Sequence, residues 1–183
     1  RGGMGEVWLA ERADGEYRQQ VALKLLKRGM DTQAILRRFL QERSILARLT
    51  HPRIVRVLDG GMSPDGRPWY AMDQVQGRSA TEYAAAVALP VEARVDLVAQ
   101  VADAVAYAHA QLVVHRDLKP SNIMVDADGV PHLLDFGIAK LLEETGEETV
   151  TGTGVRLLSP AYAAPEQILG QPVGTATDVY ALG

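Results

Sequence analysis

The sequence has no cysteine, so it can build neither a disulfide framework nor a thiolate metal site. That suits a reducing compartment. No apolar run approaches the ~18 residues of a membrane span, and the almost wholly apolar stretch Ala84 to Val91 is far too short. No signal peptide opens the chain either. A basic excess is missing as well: 19 Lys and Arg stand against 23 Asp and Glu, a net charge of −4. This argues against nucleic acid or an anionic membrane surface as the main partner. With 183 residues, 47% hydrophobic and 23% charged, the chain suffices for one soluble domain with a proper core. It is too short for two ordinary ones. The first residue is Arg1 and not Met, so the sequence is read as a fragment of a longer chain.

What is present is organised around His115-Arg116-Asp117-Leu118-Lys119-Pro120-Ser121-Asn122. A carboxylate, an amine and an amide fall within six positions, on a segment that Pro120 keeps from being helical throughout. Short apolar runs flank it, Val113-Val114 before and Ile123-Met124-Val125 after. Three polar groups held between short buried strands describe an active-site loop better than a surface turn. Asp117 can accept a hydroxyl proton, Lys119 can neutralise a phosphoryl group, and Asn122 can ligate a divalent metal. Thirteen residues after Asn122 comes Asp135-Phe136-Gly137, a second carboxylate beside a glycine hinge.

Earlier in the chain, Arg1-Gly2-Gly3-Met4-Gly5 passes into the extended run Glu6 to Ala10. Glycines let backbone lie close over phosphates, although a Gly-rich turn is a weak signal alone. Gln20 to Leu26 reads as a strand, with Ala22, Lys24 and Leu26 on one face and Val21, Leu23 and Leu25 on the other. Either Lys24 is an edge lysine reaching water, or it is buried and needs a partner. From about Thr32 to Leu49 the pattern is helical, and Glu42 lies inside the apolar stripe of Ile35, Phe39, Leu46 and Leu49. Glu42 is the natural partner for Lys24. His51-Pro52 ends that helix, and His51 reads as a capping or packing histidine. Two strands follow, Ile54 to Leu58 and Pro68 to Met72, joined by the turn-rich loop Asp59 to Gly66. Thr81 to Ala86 is a short helix. Val91 to Gln111 is a long one with Val98, Val101, Ala102, Val105 and Ala108 on one face; His109 on it reads as structural. Asp126-Ala127-Asp128-Gly129 is a turn and not a calcium loop, because the later acidic positions are absent. Pro131 to Leu134 is a strand that delivers Asp135. Lys140 to Val155 is polar, acidic and rich in Gly and Thr, a composition that predicts mobility.

In this order along one chain, Lys24, Glu42, Asp117, Lys119, Asn122 and Asp135 resemble the signature of eukaryotic-type protein kinases. The resemblance runs from Arg1 to Gly183. The glycine cluster resembles the family's Gly-x-Gly-x-x-Gly-x-Val loop, its first glycine lying one position before Arg1. Several stretches look like bacterial serine/threonine kinases: the Gly-Met loop after Asp59, the turn Asp128-Gly129-Val130-Pro131, and Pro165 to Pro172. The resemblance implies ATP and Mg²⁺ (or Mn²⁺) as cofactors and protein serine or threonine hydroxyls as acceptors. It assigns Asp117 as base, and Lys119 to the transferring phosphoryl. It makes Lys24, paired with Glu42, the contact to the α- and β-phosphates, and Asn122 and Asp135 the metal ligands. Gly2, Gly3, Gly5, Val7, Ala22, Met72, Asp73, Val75 and Met124 would surround the nucleotide, with Met72 as gatekeeper and the backbone of Asp73 and Val75 at adenine. Thr149, Thr151 and Thr153 fall where the family carries activating phosphosites, and Arg116 would receive such a phosphate. An inert loop is the alternative reading of that segment. Ser159 would dock substrate beside Asp117 and Lys119, and Asp178 would brace the catalytic loop. Glu166, which the family pairs with an arginine further on, has no assigned partner.

The expected fold is α+β and bilobal: a small β-rich N-lobe with helix C, and a larger, mainly helical C-lobe. The N-lobe would cover 1–72 without its first strand, the hinge 73–77, and the first part of the C-lobe 78–183, so the domain is truncated at both ends. In that case helix Val91 to Gln111 leaves a normally covered face exposed. The expected setting is the cytoplasm, with any membrane anchor beyond the sequence, and a homodimer serving trans-autophosphorylation. Three rivals stand beside an active protein kinase. They are a pseudokinase that binds ATP, a small-molecule kinase of the aminoglycoside type, and a kinase by ancestry whose fragment is inactive.

Overall fold

Side-chain alternation along Gln20–Leu26 makes it the second of four antiparallel strands in the computed structural model. The structure describes residues 5–11, 13, 18–26, 46, 48–136 and 161–183. Strands β1 (Gly5–Glu11), β2 (Gln20–Leu26), β3 (Val57–Met62) and β4 (Pro68–Asp73) form one sheet in the order β1-β2-β4-β3. Register places Val7 opposite Lys24, Lys24 opposite Tyr70, and Tyr70 opposite Gly60. Gly5 has φ +153°, and a Cβ there would lie 2.3 Å from the Leu25 carbonyl oxygen, so only glycine lets β1 approach β2 this closely. Leu26, Tyr70, Ala71 and Met72 are buried in this unit.

The strand expected over Ile54 to Leu58 begins instead at Val57 and runs on through Gly60 and Gly61. Glycine weakens a strand, yet here the Trp69 indole lies 3.2 Å from where a Gly61 Cβ would be. The aromatic ring covers the backbone and replaces the missing side chain. The expected loop therefore shrinks to Ser63–Arg67. It is tied by the Ser63 amide donating to the Arg67 carbonyl (2.9 Å) and by Arg67 on Asp65 (2.8 Å).

A second unit comprises Leu49–Val55 with the described residues of Val75–Gly137 and Leu158–Gly183. Its small sheet joins β5 (Gly77–Ser79), β6 (Ile123–Asp126) and β7 (Pro131–Leu133). Ile54 adds an isolated parallel bridge to Leu133. Four helices complete it: α1 (Ala80–Ala86), α2 (Val91–Ala110), α3 (Pro165–Leu169) and α4 (Thr175–Leu182). Ser79 caps α1, and Glu82 answers it in a reciprocal capping box.

Helix α2 buries Leu97, Val101, Ala104, Val105 and Ala108, a stripe at i, i+4, i+7, i+8 and i+11. Fully burying each of the larger side chains contributes roughly 1.5–3 kcal/mol. The expected face was centred slightly off. Val98 is exposed and Ala102 half-buried, while Leu97 and Ala104 take the core positions. A near-continuous Val/Ala sequence leaves the phase of the helix to its neighbours. Val91, Val95 and Val98 lie on the exposed side of the helix. The helix expected over Thr32 to Leu49 and the mobile stretch Lys140 to Val155 lie outside the described residues, apart from Leu46, Arg48 and Leu49. Both leucines are buried.

The expected turn at Asp126 is present. The Asp126 carboxylate accepts the amides of Asp128 (3.0 Å) and Val130 (2.9 Å) and meets His132 Nε2 at 2.8 Å. That histidine, first among the causes, holds Asp126 below its ordinary carboxylate value. His51 packs as expected: its Nδ1 accepts the Arg53 amide (3.2 Å), and its ring lies 5.1 Å from that of Tyr107.

Candidate active site

Proline at the first position of the 3-10 turn Pro120–Asn122 stops any helix from forming across the loop and turns the chain into β6. Three polar side chains converge there. Asp117 Oδ2 receives Lys119 Nζ at 2.8 Å and Asn122 Nδ2 at 3.0 Å. Asn122 Nδ2 also donates to the Asp117 carbonyl at 2.8 Å. Both amide hydrogens of Asn122 are thus used, so its Oδ1 is the atom able to ligate a cation. Asp117 and Asn122 are buried, and the Lys119 side chain keeps 21% exposure. The arrangement is a carboxylate held in one orientation by an ammonium and an amide.

The backbone beneath this cluster is strained and tied down. Arg116, immediately before Asp117, has φ +67°, a left-handed conformation that costs an L-residue roughly 1–2 kcal/mol. Its amide donates to Asp178 Oδ1 at 2.8 Å, and its carbonyl accepts Gln167 Nε2 at 2.8 Å. Asp178 Oδ2 receives the His115 amide (2.7 Å) and meets His109 Nε2 (2.8 Å). Asp178 is 1% exposed, so it is a buried carboxylate whose partners come from α2 and the loop. Gln167 is also buried, and its Oε1 accepts the Ala164 amide at 3.2 Å.

His115 is fully buried. Its Nδ1 accepts the Asp117 amide (3.3 Å), which puts the proton on Nε2, where it donates to the Leu134 carbonyl (2.8 Å). Burial pushes this imidazole below its ordinary value, and the nearby Asp178, Leu134 carbonyl, Asp117 and Asp135 offset that only in part. A neutral, doubly bonded imidazole is the species that fits. Its ring stands 4.8 Å from that of Phe136, next to Asp135, which itself has φ +49°. His115 thereby links the loop to the Asp135-Phe136 segment.

Asn122 and Asp135 offer hard oxygen donors only. This set suits Mg²⁺ or Mn²⁺, and Mg²⁺ is commonly held by one or two carboxylates together with substrate phosphates. Among the described residues no group of three or more His, Cys, Asp or Glu gathers as a metal cage. Glu166, unassigned in the sequence, accepts the Thr177 hydroxyl of α4, and that bond leads the causes holding it below its usual value.

In the first unit Lys24 is buried, between Val7 on β1 and Tyr70 on β4, with its Nζ 5.8 Å from the Tyr70 ring centroid. Ala22 stands opposite Met72 in the same sheet. The Asp73 amide donates to the Arg56 carbonyl (3.1 Å), so of its backbone groups only the carbonyl could meet a ligand. Val75 is half-buried, as is Met124 on β6. Gly2, Gly3, Glu42, Thr149, Thr151, Thr153 and Ser159 lie outside the described residues. Tyr70, His109 and Gln167 carry contacts to Lys24, Asp178 and Arg116 that the sequence did not reveal.

The whole chain, residues 1–183, matches the family model described as protein kinase domain. It is 41% identical to the serine/threonine-protein kinase PkaA of Streptomyces coelicolor, over all of this chain and 36% of that protein. It is 39% identical to the DNA damage-responsive serine/threonine-protein kinase RqkA of Deinococcus radiodurans, over all of this chain and 27% of that one. The chain therefore spans about a third of the length of these curated relatives. The crystal structure of the Mycobacterium tuberculosis PknI kinase domain superimposes with a TM-score of 0.75 at 35% identity, covering 100% of this chain and 67% of that one.

Proposed function

The chain belongs to the protein kinase domain family, and from that premise we propose that it transfers the γ-phosphate of ATP to serine or threonine hydroxyls of proteins. The observation that carries the reading is the Asp117 carboxylate, held on Oδ2 by Lys119 and Asn122. Asp117 orients the acceptor hydroxyl and takes its proton as the oxygen bonds the γ-phosphorus and the bond to the bridging oxygen breaks, leaving ADP. Lys119, beside Asp117, offsets charge on the transferring phosphoryl. Lys24 meets the α- and β-phosphates, and Glu42 is its partner in this reading. Gly2, Gly3 and Gly5 cover the phosphates, and Val7, Ala22, Met72, Asp73, Val75 and Met124 receive the nucleoside. Asn122 and Asp135 would hold Mg²⁺ or Mn²⁺, which when bound neutralises phosphate charge. Lys119 and the relatives named as serine/threonine kinases favour that acceptor class over tyrosine.

Regulation in this reading runs through phosphorylation of Thr149, Thr151 or Thr153 in trans within a homodimer, with Arg116 receiving the phosphate and Ser159 docking the substrate. The setting is the cytoplasm, where ATP is supplied. No helix among the described residues is long and apolar enough to cross a membrane.

The test is transfer of labelled γ-phosphate from Mg-ATP, with mass spectrometry of the product, run beside Asp117→Asn. The variant is expected to keep its fold and lose about 10²–10⁴-fold in turnover. Full activity in Asp117→Asn would sink the assignment. ATP binding without transfer in the parent would leave a pseudokinase.

A further inference from the structure

Arg116 is the residue through which the backbone aims Asp117, and its peptide is held from two sides. Asp178 takes the amide, and Gln167 on α3 reaches 51 positions back to take the carbonyl at 2.8 Å. The other end of the Gln167 amide binds the Ala164 backbone, so the side chain cannot swing without breaking a second bond. Gln167 is buried, and removing it would leave the part-buried Arg116 carbonyl without that donor. The left-handed φ of Arg116 makes the point sharper. A strained residue relaxes when its restraints go, and the carboxylate on the next residue moves with it.

We propose that Gln167 is a positioning residue for the phosphoryl transfer, fixing the Arg116 peptide so that Asp117 points at the acceptor hydroxyl. This rests on the reading of Asp117 as the base. It also gives α3 a mechanical role. Because Gln167 holds the backbone of Ala164 as well as Arg116, displacement of the segment ending at Ala164 is transmitted to the loop.

Two variants of nearly the same volume separate positioning from packing. Gln167→Met removes the donor at every pH. Gln167→Glu keeps the shape; ionised, it sets an oxygen against the Arg116 carbonyl, but protonated it can donate again. A buried glutamate takes its proton well above the usual carboxylate range. With kcat referred to the parent at each pH, Gln167→Met is expected to lose about 10- to 100-fold uniformly, with KM for ATP unchanged. Gln167→Glu should show a comparable loss at pH 8 that shrinks toward pH 6. The other ionisable groups around the loop (His115, Asp117, Lys119, Glu166 and Asp178) are common to all three proteins, so the ratio cancels them. A parent-like kcat in Gln167→Met overturns the proposal, and so does a pH-independent ratio in Gln167→Glu.

Amide hydrogen exchange provides a readout independent of turnover. Exchange at Arg116 and Asp117 should quicken by about tenfold in Gln167→Met, while the core amides Val101 and Val105 of α2 stay as in the parent. Unchanged exchange at Arg116 overturns the contact itself. A parent that transfers no phosphate but shows the exchange effect refutes the kinase reading and leaves the backbone restraint standing.

Discussion

Two aspartates, Asp126 and Asp178, each meet a histidine nitrogen at 2.8 Å, and they do opposite kinds of work. Asp126 closes its own turn: its partners Asp128, Val130 and His132 all lie within six residues, and its side chain is 25% exposed. Asp178 binds His109, His115 and Arg116, more than sixty residues away, with its side chain 1% exposed. Equal distances therefore say little about worth. Burial, and the number of backbone donors left stranded when the carboxylate goes, decide it. The local carboxylate shapes a turn, whereas the distant one holds a strained loop in the shape that orients Asp117.

The widest separation between the two should come from truncation. Asp178→Ala strands the buried His115 amide and the part-buried Arg116 amide and is expected to cost about 2–6 kcal/mol, read from urea unfolding, with phosphate transfer lost alongside. Asp126→Ala should cost only about 1 kcal/mol and leave transfer near the parental rate. Equal losses in the two variants would break the comparison.

A smaller effect is expected from pH. His115 is depressed from its ordinary 6.5 chiefly by burial, so the unfolded chain binds the proton more readily than the folded one. Its stabilising effect is fully present above about 6.5 and is lost as pH falls through that value toward the folded one. Asp126 and Glu166 are also depressed, from 3.8 and 4.5, and their contributions are lost only at lower pH still. Thermal midpoints measured between pH 8 and 3 should thus decline in two stages. The upper stage should disappear in His115→Asn, and its persistence there would assign it to another group.

The smallest change extends the comparison to backbone strain. Leu112 also has a positive φ, +60°, but only helix-end bonds hold it: its amide to the His109 carbonyl, and the Val113 amide to that of Ala108. Its side chain is 92% exposed. Glycine suits this position without strain, so Leu112→Gly is expected to stabilise the protein by about 0.5–1 kcal/mol, seen as a higher melting temperature. Arg116, with a similar φ, is held by tertiary bonds from Asp178 and Gln167.

Much of the molecule was legible in its residues. Strict alternation marked Gln20–Leu26 as a strand, and its bounds came out as read. Apolar residues recurring on one helical face from Val91 onward marked α2, and Asp-x-Asp-Gly marked the turn at Asp126. The cluster of Asp117, Lys119 and Asn122 was readable because all three lie on one proline-broken segment, where spacing alone brings them together. Less legible were features that depend on what packs against them. Gly60 and Gly61 read as a loop until they pair with Tyr70 and Trp69 in a strand, where Trp69 covers Gly61, and the buried face of α2 is rotated from Val98 and Ala102 to Leu97 and Ala104.

By itself, then, the sequence determined the periodic elements, the local turns and the meeting of Asp117, Lys119 and Asn122, because each follows from neighbours a few positions apart. Only the tertiary structure decided how Asp117 is aimed. The bonds from Gln167 and Asp178 to Arg116 cross 51 and 62 positions and join irregular backbone to side chains of α3 and α4. Such bonds follow no period along the chain. They exist only when folding buries both ends together, where an unmade hydrogen bond costs more than an exposed one.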